Sequence, residues 1–506
     1  MRLSFSSGVL AAGLVAGFAT APVIVSAQPG GVAPACPLDA NSPKELALLE
    51  VQVQRARGAT TPEIRQSALR NIVKELDTKP ERFAKNLGGF NLRMSQALSM
   101  WALEPGIGNT VPRATLGFVT NPTESIDIVV QLDAAYKGIV AALPTCESDV
   151  KGLRQNEVWL AATRKALDAS NGGQLDSADY YAKRSLLLFD GSPYPHYVLG
   201  NVSNQKKDRA AAMAHWKEVI TLSGTDTSYR ELKNGSLYLL SVNQLEAAEA
   251  AKGADQVALA KDAAATFKLL LAATPDSPDA PNIMTSMADA LKLAGDSAAI
   301  PGIYADMLAK PAGYSEVALT MASVIATRIN RTDDAITLNE AAIVKNPNAR
   351  DALRNLAANY YGKDQFLKML PPSTKLVAID PNNFDGWMMF AYAAQGLAKA
   401  AKVPAEKKAW TDTLVKYQTY AEALPVKVDV AQFQKGAKEV TLTLQFEQQA
   451  ATDGTYNVTV EFLDAGGAVV GTAEAPVGPL KKGETKTVAF KATATGVVAY
   501  RYKPIK

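Results

Sequence analysis

The feature that most limits what this chain can fold into is a proline-marked punctuation recurring between helical segments. Asn346-Pro347-Asn348 is followed by Asp380-Pro381-Asn382, with the two prolines 34 residues apart, and Pro275 and Pro311 extend the ladder backwards in steps of 36. A period of that length holds one helical hairpin, which cannot bury its apolar face alone and must stack on its neighbours. The middle of the chain therefore reads as an α-solenoid. In the unit beginning at Arg350, Leu353, Leu356, Ala357 and Tyr360 make one apolar stripe along a helix. Trp387, Phe390 and Ala391 repeat the first three of those positions 34 residues on.

The chain has 506 residues, too many for one ordinary core, and its 20% of charged residues argues against long disorder. Lys plus Arg number 53 against 50 Asp plus Glu, a balance without the footprint of a nucleic-acid or anionic-membrane binder. At the N-terminus, Arg2, the apolar stretch from Val9 to Phe18, and Val25-Ser26-Ala27 before Gln28 read as a cleaved secretory signal over residues 1–27. The expected location is periplasmic or secreted, with no integral membrane span after cleavage. Cys36 and Cys146 are the only cysteines. In an exported chain such a pair is expected to form a disulfide, the alternative being two buried free thiols.

Four regions follow the signal. Residues 28–41 are rich in Pro, Gly and Ala and read as a flexible lead. Residues 42–154 keep helical periodicity without the repeat, opening on Ser42-Pro43-Lys44-Glu45, where Ser42 is the expected N-cap. Within them Leu103 to Pro122 is broken by Gly106, Gly108, Pro112 and Gly117, and reads as a loop or lid. Residues 155–424 carry seven helical hairpins. Pro371-Pro372 falls inside one second helix, which is expected to kink or restart there. From 425 to 506 the period switches to two, as in Val440 to Phe446, Tyr456 to Phe462, and Val488, Phe490, Val498, Tyr500 and Tyr502. A small antiparallel β-sandwich is expected, and the proline-marked switch suggests that a chain ended at Pro425 keeps a folded solenoid.

The hairpin region resembles the tetratricopeptide repeat (TPR) family. Leu199-Gly200 followed by Ala212, Trp216 and Val219 matches its first-helix Leu-Gly and its second-helix positions, and Ala178, Ala182 and Ser185 precede them by 34 residues each. Ala263, Phe267 and Leu270, then Ala299 and Ile303, then Ala335 and Ala342 continue the phase. The C-terminal region, from Val460-Glu461-Phe462-Leu463-Asp464 through Val469-Val470-Gly471-Thr472, is similar to FxLYD-type envelope domains. The TPR resemblance implies a concave face of first helices that holds an extended peptide or partner helix. Carried over position by position, that face comprises Tyr197, Asn201, Asn204 and Gln205 upstream, and Arg354, Tyr361, Met388, Tyr392 and Gln395 downstream. Asn201 coincides with an asparagine that some members use to clamp a peptide carboxylate. Tyr197 stands where that clamp needs lysine, which argues against a C-terminal carboxylate ligand.

Catalytic constellations are scarce. His196 and His215 are the only histidines, and both read as packed or surface residues. No Walker loop, HExxH or GxSxG is present. The expectation is a non-enzymatic interaction scaffold of the bacterial envelope or periplasm with a protein or peptide partner, no cofactor, no metal and no nucleic acid, its oligomeric state open. The alternative is an enzyme, or a glycan- or small-molecule-binding protein, with a pocket near residues 101–122, beside Trp101.

Overall fold

A computed structural model describes residues 36–38, 43–274, 277, 279–436 and 438–506. The signal reading of 1–27, most of the 28–41 lead, Ser42 and Pro275 lie outside them. The described chain falls into two compact units: one runs to Ala161 and takes in Leu187–Phe189, and the other comprises Ala162–Leu186 and Asp190–Lys506. No helix among the described residues is long and apolar enough to cross a membrane.

The first unit is built on α1 (Lys44–Arg57), α2 (Pro62–Thr78), α3 (Leu87–Leu103), α4 (Arg113–Leu116), α5 (Ile128–Ala142) and α6 (Glu147–Arg154), with short strands β1 (Thr110–Pro112) and β2 (Ser125–Asp127). Leu69, Ile72 and Leu76 of α2 meet Leu98 and Trp101 of α3 and Leu132 and Ile139 of α5 in one core. Cys36 is bonded to Cys146 with their Cα atoms 4.8 Å apart, closing a separation of 110 residues. In a chain-entropy account, a loop of that length contributes about 5 kcal/mol.

The 103–122 segment is a pinned hairpin, and this corrects its reading as a loop or lid. Strands β1 and β2 pair antiparallel. The Asp77 carboxylate accepts hydrogen bonds from the amides of Val119 and Thr120 at 2.8 and 2.7 Å, and Arg113, ion-paired to Asp77, lies over the Phe118 ring. Gly117, at φ 105°, lies so close to the Arg70 backbone that a Cβ would come within 2.4 Å of its carbonyl oxygen.

Seven helical hairpins follow. They are α7 (Glu157–Asn171) with α8 (Leu175–Leu188), α9 (Pro193–Gln205) with α10 (Arg209–Ser223), α11 (Arg230–Ala250) with α12 (Gly253–Ala273), and α13 (Ala280–Leu293) with a 3₁₀ segment (Ser297–Ile303) and α14 (Ala305–Ala309). Then come α15 (Glu316–Arg328) with α16 (Thr332–Lys345), α17 (Arg350–Gly362) with α18 (Phe366–Ile379), and α19 (Phe384–Ala400) with α20 (Pro404–Glu422). The division between the two units passes through α7 and α8.

The repeat positions explain the packing. Ala178, Ala182 and Ser185 are buried, as are Ala212, Trp216 and Val219, Ala263, Phe267 and Leu270, and Ala335 and Ala342. Gly200 lets the Trp216 indole lie directly on α9, since a Cβ there would come within 2.6 Å of the indole nitrogen. Two expectations are corrected. Ala299 is exposed: Pro301 falls in the 3₁₀ stretch, where an α-helix cannot continue undisturbed, and Ile300, Ile303 and Tyr304 fill the core instead. Helix α18, in contrast, runs unbroken through Pro371 and Pro372. The carbonyls that lose donors there belong to Leu367 and Lys368, both exposed residues.

Each first helix from α9 to α17 packs on the first helix of the next hairpin, whereas among second helices a contact of comparable extent is made by α14 on α16. Closer spacing of the first helices places them on the inner side of the stack. The second helices spread apart on the outer side.

The chain ends in a β-sandwich of two antiparallel sheets. Their strands are β3 (Val426–Lys435), β4 (Glu439–Gln448), β5 (Gly454–Leu463), β6 (Val469–Leu480), β7 (Thr485–Thr493) and β8 (Ala499–Tyr502), ordered β3-β4-β7 and β6-β5-β8. Val440, Leu442, Leu444 and Phe446 of β4 alternate inward and meet Tyr456, Val458, Val460 and Phe462 of β5.

The sandwich is docked on the proline-marked turns. Asn382 donates from Nδ2 to the carbonyls of Val426 and Ile505, and its Oδ1 accepts from the Ile505 amide at 2.8 Å. Asn383 accepts the Gly386 amide as N-cap of α19 while its Nδ2 donates to the Val428 carbonyl at 3.1 Å. Asn346 reaches the Val498 carbonyl, and Lys435 pairs with Glu316 at the start of α15. At the centre Asp380, fully buried, takes the Arg350 guanidinium at 2.5 Å and the Tyr502 hydroxyl. Burial pushes the Asp380 carboxyl up, while Arg350 and Tyr502 hold it down. A chain ended at Pro425 would strip partners from Asp380, Asn382 and Asn383. The switch in periodicity marks a change of element, and polar contacts cross it.

Candidate partner-binding groove

On the inner face, α17 presents Arg354 and Tyr361 two turns apart, and α19 presents Met388, Tyr392 and Gln395 at the spacing that keeps them on one helix side. Two side-chain contacts join these two helices. The rings of Tyr361 and Tyr392 lie 5.8 Å apart, tilted by 47°, while remaining 46% and 41% exposed. Arg354 donates to Asp385 at 3.2 Å, both groups facing water. Met388 and Gln395 are half-buried beside them.

The upstream residues form a separate patch, on a helix four hairpins earlier. Asn204 and Gln205 are exposed and Tyr197 is half-buried. Asn201 departs from its expected role: its Oδ1 accepts the Trp216 indole N–H at 3.3 Å, so it orients a core side chain. Sequence reasoning missed Asp385, whose partner is set by the register between hairpins, and Phe366, whose ring lies 6.0 Å from that of Tyr361. It also placed Trp387 as a core residue. The indole is half-buried, stacked against Phe390 and Tyr417 and close to Tyr420, with its N–H donated to the Pro381 carbonyl at 2.7 Å.

Two further places have the chemistry of a site. His196 and His215 face each other across α9 and α10, Nδ1 to Nδ1 at 3.1 Å, which allows one shared proton. Burial lowers both imidazoles, and His196 and Lys183 lower His215 further, while the carboxylates of Glu218 and Asp190 oppose the shift at His196 and those of Asp179 and Glu218 oppose it at His215. The unfolded chain takes up protons below about pH 6.5 that the folded pair resists, so this contribution is complete above that value and is lost as pH falls toward the depressed folded values. Melting temperatures are expected to drop between pH 7.5 and 5.5, and His215→Asn to flatten part of that drop. An equal pH dependence in the variant would remove the pair as its source.

In the first unit a cavity of about 240 Å³ lies among Leu92, Ser99, Leu103, Tyr136 and Asn156. The Tyr136 hydroxyl donates to the Leu153 carbonyl and accepts from Asn156 at 2.7 Å, and burial pushes its pKa up. Of residues 101–122 only Leu103 lines it, and Trp101 is fully buried in the core. Among the described residues no group of three or more His, Cys, Asp or Glu could hold a metal ion.

Solved structures share the hairpin architecture at low similarity. YrrB, a TPR protein with an unusual peptide-binding site, aligns at 14% identity and a TM-score of 0.22 over 53% of this chain and 100% of its own. A tetratricopeptide repeat protein from Parabacteroides merdae aligns at 12% identity and 0.26 over 52% and 98%, and the P58(IPK) TPR domain at 12% and 0.20 over 71% and 100%. No family model and no curated protein matches the chain, and the FxLYD likeness of the sandwich finds no support. Scores of this size carry no functional argument, and the fold, a TPR-like solenoid of helical hairpins followed by a small antiparallel sandwich, rests on the geometry itself.

Proposed function

We propose that the chain is a non-enzymatic interaction scaffold, exported to the bacterial envelope, whose first-helix face around Arg354, Tyr361, Met388, Tyr392 and Gln395 captures an extended segment of an envelope protein. The observation that carries this reading is the Tyr361–Tyr392 pair, two half-exposed aromatic rings in contact across successive hairpins. Tyrosine and arginine are the residue types over-represented where interfaces draw their binding energy. The Arg354–Asp385 pair beside them is solvent-exposed and therefore weak, so a partner carboxylate exchanges for Asp385 at little cost. Export is supported by the signal-like start and by the Cys36–Cys146 bond.

A photo-crosslinking side chain at position 392 should trap one defined partner in intact envelopes. With that partner purified, the double variant Arg354→Ala and Tyr392→Ala is expected to bind tenfold or more weakly, by the conversion of about 1.4 kcal/mol per decade, with an unchanged helical circular dichroism spectrum. Binding equal to wild type would place recognition elsewhere on the molecule.

A further inference from the structure

The outer side of the stack holds a second site. Where α16 and α18 spread apart over α17, they leave a cleft of about 470 Å³, within the size range of small-molecule sites. Its walls include Ile343 of α16, Leu353 and Leu356 of α17, and Pro372 of α18, and Lys368 and Lys375 also line it. The two lysines are seven residues apart, two helical turns on one side of α18. Neither is ion-paired among the described residues, and Lys368 lies 5.7 Å from the centre of the Tyr360 ring. The carboxylate that touches a lining residue, Glu340, is occupied as acceptor of the Tyr360 hydroxyl.

The cleft follows from the sequence that made α18 unusual. At 371 and 372 the helix carries two short, ring-closed side chains where longer ones would fill the space between adjacent second helices. Apolar walls with two cations that have no ion-pair partner among the described residues suit a ligand that is apolar along its length and anionic at one end.

We propose that this cleft binds a single-chain anionic amphiphile, its alkyl tail along Leu353, Leu356 and Pro372 and its head group between Lys368 and Lys375. The site is distinct from the first-helix groove and stands whether or not that groove binds a protein.

The probes are dodecanoate and an uncharged amphiphile of the same tail, decyl glucoside extended to dodecyl, both titrated into the full chain below their micellar concentrations. Dodecanoate is expected to saturate at one site per chain. The variant Lys368→Ala/Lys375→Ala, which alters only exposed side chains, should weaken dodecanoate tenfold or more and the uncharged probe less than threefold. Pro371→Trp, which projects an indole from a lining position, should block both. The proposal is overturned if dodecanoate shows no saturable binding, if the lysine variant weakens both probes equally or neither, or if an acidic apolar peptide saturates the cleft and dodecanoate does not.

Discussion

Replacing Asp380 by Ala is expected to destabilise the second unit by about 3 to 5 kcal/mol, the cost of breaking a buried ion pair from one side. The carboxylate is fully buried between the Arg350 guanidinium and the Tyr502 hydroxyl. Without it Arg350, mostly kept from water, retains only the exposed Asp351 carboxylate as an ion-pair partner, and Tyr502 loses its acceptor. The loss falls on the junction between solenoid and sandwich, because Tyr502 lies on β8 and Arg350 on α17. Two readouts separate this from general loosening: a lowered melting temperature, and faster proteolysis between Leu424 and Val426. Asp380→Asn, which keeps an oxygen for Tyr502 and loses the charge, should fall between wild type and the alanine variant. A melt unchanged by Asp380→Ala would mean that the sandwich is held by its other contacts alone.

Trp216→Ala is expected to cost a similar amount, about 3 to 5 kcal/mol, as for other large aromatic side chains removed from a core. The indole is fully buried among Ala212 and Leu240, lies against Gly200 and donates to Asn201. Since each hairpin is stabilised largely by its neighbours, α9 to α11 should loosen together, which hydrogen exchange would register as a contiguous stretch. Trp387→Ala is the control. Its ring is half-exposed on the last hairpin, and its loss should cost about 1 to 2 kcal/mol, by the apolar area it shields. Equal effects at both positions would contradict the burial difference.

The contrast between the two tryptophans shows how far a repeat pattern reaches. Both were legible as packing residues, Trp387 from the spacing of its stripe and Trp216 from the family resemblance. Whether the position is enclosed depends on a following hairpin, and α20, past Trp387, is the last; of its described residues only Ala421 is buried. The groove shows the same limit. The period placed Arg354, Tyr361 and Tyr392 on exposed faces, but contact between Tyr361 and Tyr392, and between Arg354 and Asp385, spans 31 residues rather than the repeat length. That offset comes from how adjacent first helices settle against each other.

By itself the sequence determined the hairpin count, the apolar stripes and the alternating strands, because each follows from local periodicity, and it offered each cysteine one possible partner. It marked Asn346, Asp380, Asn382 and the prolines between them as turns. Only the tertiary structure decided that those turns receive the sandwich, that Asn201 serves a core indole, that the 103–122 segment is pinned by Asp77, and that Pro371 and Pro372 border a cleft. These outcomes rest on hydrogen bonds and packing between residues up to 152 positions apart. No local pattern records such a partner, since burial turns a polar turn residue from a solvated group into one that must find a specific acceptor or donor elsewhere in the chain.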